Sequence, residues 1–355
     1  MSRHYRVAGL TEREGTMSIG APGRDRPTLE SVAMLAGVSR ATASRVVNGS
    51  TTVAPHIREA VRRAVADLGY VPNHAARSLV TQRTNSIALV LTESAGRVFS
   101  DDPYFTTIVE GVSQELDRAG KQLVLMMVNS GASHDRVEQY AVGGHVDGVM
   151  VASMHGADPL PGTLARMGIP VVVNGRPMGR SPVPYVDVAN ERGARLAVRH
   201  LIETGRRRIA TIAGPQDMVG GVDRLTGYRA ELLAADRRSI VAVGDFTRQS
   251  GISAMRQLLA DEPGVDAVFV ASDLMAEGAL RALRQAGRRV PDDVAVIGFD
   301  DNEIARFTEP PLTTIRQPIM DIGRAMARLV LRLTDGEEVE PSVMLSTELI
   351  RREST

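Results

Sequence analysis

Residues 28–48 read TLESVAMLAGVSRATASRVVN, and no other stretch constrains the fold around it as tightly. Leu29, Val32, Ala33 and Leu35 lay an apolar face along a first short helix. Ala33 is small enough for a second helix to approach it, and Gly37, four residues on, supplies the positive φ that a tight turn needs. Ser39 stands where a side-chain oxygen caps a second helix by accepting backbone N–H bonds. In that helix Ala43, Val46 and Val47 point inward, and Arg40, Ala41, Thr42, Ser44 and Arg45 point outward. The pattern predicts a helix-turn-helix whose second helix offers small, polar and cationic side chains to a DNA major groove. An ordinary αα-hairpin would not require the small residue, the glycine, the cap and the arginine all at these places.

The charge distribution points the same way. The chain has 355 residues and a net charge of zero, yet between Pro27 and Arg83 it carries arginines 40, 45, 58, 62, 63, 77 and 83 against Glu30, Glu59 and Asp67, a net of +4. A basic module on a neutral chain is the footprint of a nucleic-acid reader joined to a separate body. Cysteine is absent, which removes disulfides and thiolate chemistry. No apolar run reaches the ~18–20 residues of a membrane span, and the N-terminus has acids where a signal peptide would have an apolar core. The chain is therefore read as cytoplasmic, with no membrane partner. Residues 1–26 read as a flexible leader, and Met17 offers a second start.

Pro55 suits the first turn of a third helix running to about Gly69, with Ile57, Val61, Val65 and Leu68 at helical spacing. Its N-cap position holds Ala54 where Ser or Thr would be worth about 1 kcal/mol. Within the next stretch, YVPNHAARSLVTQRTNS, the segment His74–Val80 is too short to form a stable helix alone. It reads either as a plain linker or as a hinge that becomes helical on DNA, with Leu79 entering the minor groove.

From Ser86 onward apolar runs alternate with helical stretches: 86–91, 122–128, 148–152, 170–174, 208–214, 267–272 and 294–299. Continuous apolar strands between helices predict parallel sheets covered on both faces. Residues 84–355 are too many for one open sheet, so the expectation is two doubly wound lobes with a cleft between them. Ligands of such sheets bind beyond the carboxyl ends of the strands, where Glu93, Asn174, Ser272–Asp273 and Asp300–Asp301 fall.

The headpiece, the segment YVPNHAARSL, and then PYF (103–105), NGRP (174–177), RLTGYR (224–229), ASDLMAEGAL (271–280), VIGFDD (296–301) and PPLTTIRQP (310–318) occur in order. Together they resemble the lactose-repressor (LacI) family of bacterial transcription factors over nearly the whole chain after residue 26. The resemblance implies an α/β protein: an N-terminal three-helix helix-turn-helix headpiece (27–71), a hinge helix (72–83), and a two-lobed doubly wound effector domain of the periplasmic-binding-protein type (84–355). Lobe crossings are expected near 183, 314 and 345. The N-lobe would then span about 84–182 and 315–345, and the C-lobe about 183–314 and 346–355.

The resemblance also implies a homodimer on a palindromic double-stranded operator, controlled by a small-molecule effector, a sugar or sugar derivative. Arg40 and Ala41 match the two positions that choose base sequence, and Arg45 a base-contacting arginine. A bidentate arginine–guanine contact is worth roughly 1–3 kcal/mol of discrimination. Thr28, Ser39, Thr42, Ser44 and Asn48 read as phosphate positioners. Asn73 falls at the start of the hinge, and Leu79 matches the minor-groove wedge. On the effector side Phe246 matches a stacking aromatic, Arg224 an arginine that binds ligand oxygens, and Asp300 a carboxylate acceptor. Tyr104, Phe105, Ser272 and Asp273 fall at or near the cleft.

The chain departs from the pattern in places. Ser272 replaces a common asparagine, Met218 and Gly220 stand where the family's type member has hydroxyl side chains, and the loop 92–105 is long and polar. A transport-type sugar-binding protein would share the body but not the headpiece. An enzyme on such a fold would need a phosphate-binding loop or catalytic constellation, and neither HExxH, GxSxG nor a P-loop is present. The seven histidines show no metal-ligand spacing. The reading is therefore a non-enzyme with no cofactor and no metal.

Overall fold

The computed structural model describes residues 27–71, 83–99, 102–129, 131–179 and 181–355. The expected leader, and Asn73 and Leu79 of the expected hinge, lie outside the described residues. Contacts divide the chain into two units, meeting between Arg77 and Ser78.

In the first unit, α1 (Leu29–Leu35), α2 (Arg40–Val47) and α3 (Pro55–Leu68) enclose a small core of Val32, Ala33, Ala43, Val61 and Ala64. Thr28 and Ser31 form a reciprocal cap on α1, and Ser39 Oγ accepts the Thr42 N–H at 3.2 Å to start α2. Gly37 takes φ 64° in the turn. As expected, α3 has no side-chain cap and relies on Pro55 at its start, while Gly69 ends it in the left-handed conformation. One residue of the anticipated apolar face is misplaced: Leu35 is 55% exposed, and Ala36 packs against the core instead. Ala36 extends the series 29, 32, 33 by one turn, as a helix requires, whereas 35 lies off that stripe.

The second unit holds two six-stranded sheets. The first is formed by β1 (Ser86–Leu91), β2 (Gln122–Met127), β3 (Gly148–Ala152), β4 (Val171–Asn174), β5 (Tyr185–Val188) and β11 (Ser342–Leu345). Its order is β11-β5-β4-β3-β1-β2 and every pairing is parallel. The second is formed by β6 (Ile209–Ala213), β7 (Ile240–Val243), β8 (Ala267–Val270), β9 (Ala295–Asp300), β10 (Thr313–Arg316) and β12 (Glu348–Ile350). Its order is β12-β10-β9-β8-β6-β7, with only β12 antiparallel. Central strands such as β3, β6, β8 and β9 are buried along their whole length, because helices cover both faces.

The seven strands expected from apolar runs are all present. The five others are short or mixed: YVDV, TTIR, SVML and ELI interleave polar residues, and IVAV is an apolar run of only four residues. Two expected lobe crossings move accordingly. β5 pairs with β4 and β11, so the chain leaves the first sheet after Val188 rather than near 183. β10 pairs with β9, so it leaves the second sheet after Arg316 rather than near 314. The third crossing lies between Leu345 and Glu348.

In the C-lobe, α8 (Asn190–Glu203) and α9 (Val219–Ala234) cover one face and are pressed backbone to backbone at Gly227. A Cβ there would lie 2.3 Å from the Glu191 carbonyl oxygen and 2.9 Å from the Ala194 Cβ. Gly227→Ala should push these helices apart and cost about 1–3 kcal/mol, the usual range for overpacking. Thermal unfolding of the full chain should show it as a transition lowered by several degrees.

Candidate DNA interface and effector cleft

The outer face of α2 is built as a presentation surface. Arg40, Ala41 and Arg45 are exposed, Thr42 and Ser44 are half-buried, and Ala43 is fully buried beneath them. Ser39 Oγ and Thr42 Oγ1 lie 2.9 Å apart, and Asn48 Nδ2 donates to Ser44 Oγ at 3.3 Å. Thr28 and Ser39 are thus helix caps whose exposed hydroxyls remain on the surface. Arg40 pairs with Glu30 at 2.5 Å, both largely exposed. Such surface pairs are worth at most about 1 kcal/mol, so the guanidinium exchanges partners readily.

The second site is a cleft between the two sheets, enclosing about 760 Å³ of non-atom space, its mouth included. It lies beyond the carboxyl ends of the strands. From the N-lobe come Arg97, Asp102 and Tyr104 after β1, Asn174 at the end of β4 and Asp187 in β5. From the C-lobe come Met218 and Arg224 after β6, Phe246 after β7, Ser272 after β8 and Asp300 at the end of β9.

Arg224, from the second turn of α9, is its centre. Its Nε donates to Asn190 Oδ1 (2.9 Å) and its Nη1 to the Ala271 carbonyl (2.6 Å), with Asp300 Oδ1 at 3.5 Å. The guanidinium carbon lies 3.7 Å from the Phe299 ring centre and 5.8 Å from that of Phe246. Gln317 Nε2 donates to the same Asp300 oxygen at 2.5 Å. Asn190 Nδ2 donates to Asp187 Oδ1 at 3.0 Å. These side chains form one polar chain, and two of its members, Asn190 and Gln317, sit at the first and second lobe crossings.

The electrostatics of the cleft are those of buried acids. Burial pushes the Asp300 carboxyl up to about 7, against the attraction of Arg224 and with added repulsion from Asp102. Burial likewise raises Asp102, opposed by its bond from the Tyr104 N–H, and Asp187, opposed by bonds from the Arg176 and Val188 N–H groups. Burial also raises the Tyr104 hydroxyl, which donates to Asn174 Oδ1 at 3.0 Å. Asp300 and Asp301 adopt φ values of 119° and 55°, and Phe246 one of 66°. Three non-glycine residues in left-handed backbone at one site are strain of the kind that clusters where ligands are held.

The cleft brings together six of the seven expected effector residues: Tyr104, Phe105, Arg224, Phe246, Ser272 and Asp300. Phe105 only borders it, being 2% exposed in the N-lobe core with its ring set edge-on to Tyr104 at 5.5 Å. Ser272 also caps α11 (Asp273–Gln285) through the Met275 N–H. Asp273 is a correction. It is fully buried outside the cleft lining, accepting from Thr314 Oγ1 (2.6 Å) and the Asn302 N–H (2.8 Å). As the first residue of α11 it turns toward the sheet and braces the loop after Asp300. Asp301 is likewise taken by Arg316 (2.7 Å) and Arg352 (2.5 Å). Sequence reasoning missed Arg97, Asp102, Asp187, Asn190 and Gln317. Recognising YVDV as a strand would have put Asp187 and Asn190 at a strand end.

Comparison with known proteins agrees with this geometry. Residues 28–73 match the family described as bacterial regulatory proteins, lacI family, and residues 198–355 match the periplasmic binding protein-like domain. The chain is 54% identical over 337 residues to the HTH-type transcriptional regulator CelR of Thermobifida fusca, covering 93% of this chain and 99% of that protein. It is 34% identical to the ribose operon repressor of Escherichia coli strain K12, over 92% of this chain and 99% of that one. Among solved structures, a CelR–cellobiose complex matches with a TM-score of 0.74 and 52% identity, over 93% of this chain and 100% of that chain. A lac repressor dimer bound to operator and the anti-inducer ONPF matches with a TM-score of 0.83 and 31% identity, over 93% and 99%. A ligand-responsive DNA-binding class is what the fold and cleft define, and the chain belongs to the LacI family of bacterial transcriptional regulators. The headpiece sets aside the transport-type alternative, and among the described residues no helix is long and apolar enough to cross a membrane.

Asp300 gives a stability test. Its folded-state value lies above the unfolded one, so its contribution is present below about 4 and is lost as pH rises toward 7. Asp300→Asn removes this dependence. The difference in melting temperature, variant minus wild type, should therefore become more favourable to the variant between pH 5 and pH 8.

Proposed function

We propose that this chain is a cytoplasmic repressor of carbohydrate genes whose cleft takes a neutral glucose disaccharide, cellobiose or a close kin, as effector. The observation that carries the reading is the Arg224–Asp300 clamp beside the Phe246 ring. A flat apolar wall suits a sugar face, and charged groups at its edge suit hydroxyls. Charge supports a neutral ligand. Asp102, Asp187 and Asp300 line the cleft, while Arg224 is engaged by Asn190, Ala271 and Asp300, and Arg97 by Glu93 and the Asp245 carbonyl. A phosphorylated or acidic sugar would meet carboxylates there. Similarity to CelR, whose complex with cellobiose is among the matching structures, points to the same ligand.

On DNA, Arg40 contacts guanine, Ala41 a thymine methyl, and Arg45 a further base. Thr28, Ser39, Thr42, Ser44 and Asn48 hold phosphates, and Asn73 and Leu79 act in the hinge. A second copy completes the reader. The exposed rings of Phe99 and Phe307 (64% and 78%) are the apolar anchors we assign to that dimer.

A gel-shift with palindromes from DNA flanking the gene tests the reading. Cellobiose should change operator affinity about 5- to 150-fold, the usual range of allosteric coupling, and cellobiose phosphate should not. No preference for any palindrome, with or without sugar, would refute it. Arg40→Ala should lose sequence preference by about tenfold or more; an equal loss on all sequences would make Arg40 a phosphate contact. Phe307→Asp should sediment as a monomer and bind the palindrome about 10²–10⁴-fold more weakly, because two-point attachment is lost.

A further inference from the structure

Glu93 sits just past β1, outside the cleft lining, with its side chain 10% exposed. Its carboxylate gathers three partners. Ser153 Oγ donates to Oε1 at 2.9 Å, His155 Nε2 lies 3.4 Å from the same oxygen, and Arg97 Nε lies at 3.3 Å. Two of these reach the other lobe. Arg97 Nη1 donates to the Asp245 carbonyl at 2.8 Å, one residue before Phe246. His155 Nδ1 donates to Asp217 Oδ2 at 2.9 Å, one residue before Met218. Beside them the Gly156 N–H donates to the Asp217 carbonyl at 2.6 Å. One half-buried N-lobe carboxylate therefore organises contacts to two of the C-lobe loops that carry cleft-lining side chains.

Resting on the sugar-binding reading, we propose that Glu93 is a positioning residue. It clasps the lobes at the mouth of the cleft, holding Arg97 and His155 against the loops of Phe246 and Met218, and so sets how readily the cleft closes on its effector. The Phe246 loop is held in left-handed backbone, and an external anchor at Asp245 keeps its ring in place. Arg97 is itself fixed at its base, because Val98, the next residue, is buried in the N-lobe core.

Electrostatics support the arrangement. The hydrogen bond to Glu93 is the largest influence on His155, which is pushed up to about 9, against burial and with help from Asp217. Burial opposes ionisation of Glu93, but His155, Arg97 and Ser153 together hold its carboxyl below the usual range. The charged groups that act on His155 are thus Glu93 on the loop after β1 and Asp217 on the loop after β6, with Arg97 sharing the Glu93 carboxylate. Near neutral pH His155 is a cation between two carboxylates.

Glu93→Gln and Asp217→Asn in the full chain test the clasp. Hydrogen exchange without sugar reads it directly, because the Gly156 amide bonds across the lobes. Peptides covering 154–158 and 216–220 should exchange faster in both variants. Cellobiose affinity, measured by calorimetry, should fall at least about five-fold in both. In Glu93→Gln, His155 loses its main partner and titrates nearer its ordinary ~6.5. The affinity ratio of wild type to that variant should therefore widen from pH 6 to pH 8, which a merely structural role would not produce. Wild-type exchange in either variant overturns the clasp, as does unchanged affinity or a flat ratio. Should Glu93→Gln fail to fold, Asp217→Asn, altered on a 56% exposed side chain, decides by the same two readouts. If the wild type binds no cellobiose, the sugar reading fails while the exchange measurement still decides the clasp.

Discussion

A buried guanidinium organises the second unit. Arg224 is buried, 7% exposed toward the cleft, and an isolated charge there would be prohibitively costly. It is tolerated because Asn190, the Ala271 carbonyl and Asp300 take its N–H groups while Phe299 covers its face. Removing any one partner leaves a buried charge short of a bond, so the group is specified as a set. Asn190 opens α8 at the first lobe crossing, and Gln317, bound to Asp300, lies at the second. At the third, Thr347 Oγ1 donates to the Ala189 carbonyl at 3.4 Å. The ion that faces the cleft is therefore wired to the segments about which the lobes would turn.

The architecture was legible wherever one period dominated. Alternating apolar runs and helical stretches announced two doubly wound lobes, and Gly37, Ser39 and Ala43 announced the turn and second helix of the headpiece. What escaped were strands whose pairing rather than composition makes them strands. TTIR is held between β9 and β12, and SVML forms an edge against β5. Hydrogen bonding to a neighbour distant in sequence leaves no local mark, and the displaced lobe crossings followed from that alone.

The site was legible as motifs and illegible as a network. Arg224, Phe246 and Asp300 stand in recognisable strings. Asp187, Asn190 and Gln317 are ordinary polar residues until the crossings bring them together. Asp273 shows the opposite failure: it neighbours Ser272 in one motif, yet the first turn of a helix sends the two side chains different ways. Ser272 caps α11 at the cleft, while Asp273 enters the sheet to hold Thr314 and Asn302. Adjacency in sequence is not adjacency at a site.

The acids of the cleft also explain why ligand and lobe closure should be one event. Asp102, Asp187 and Asp300 are all raised chiefly by burial, so each ionises more readily in contact with donors than in a dry cleft. In the proposed mode of binding, bringing the lobes together would remove water from these oxygens, and ligand hydroxyls would return the hydrogen bonds that water gave. Closure without such donors is penalised, and closure with them is not. A ligand shifts a conformational equilibrium only by its differential affinity for the two arrangements, and here the carboxylates supply that difference. Contacts made at the mouth by Arg97 and His155 add a term independent of the ligand. In the proposed clasp this term fixes where the balance starts and hence how much effector is needed to move it.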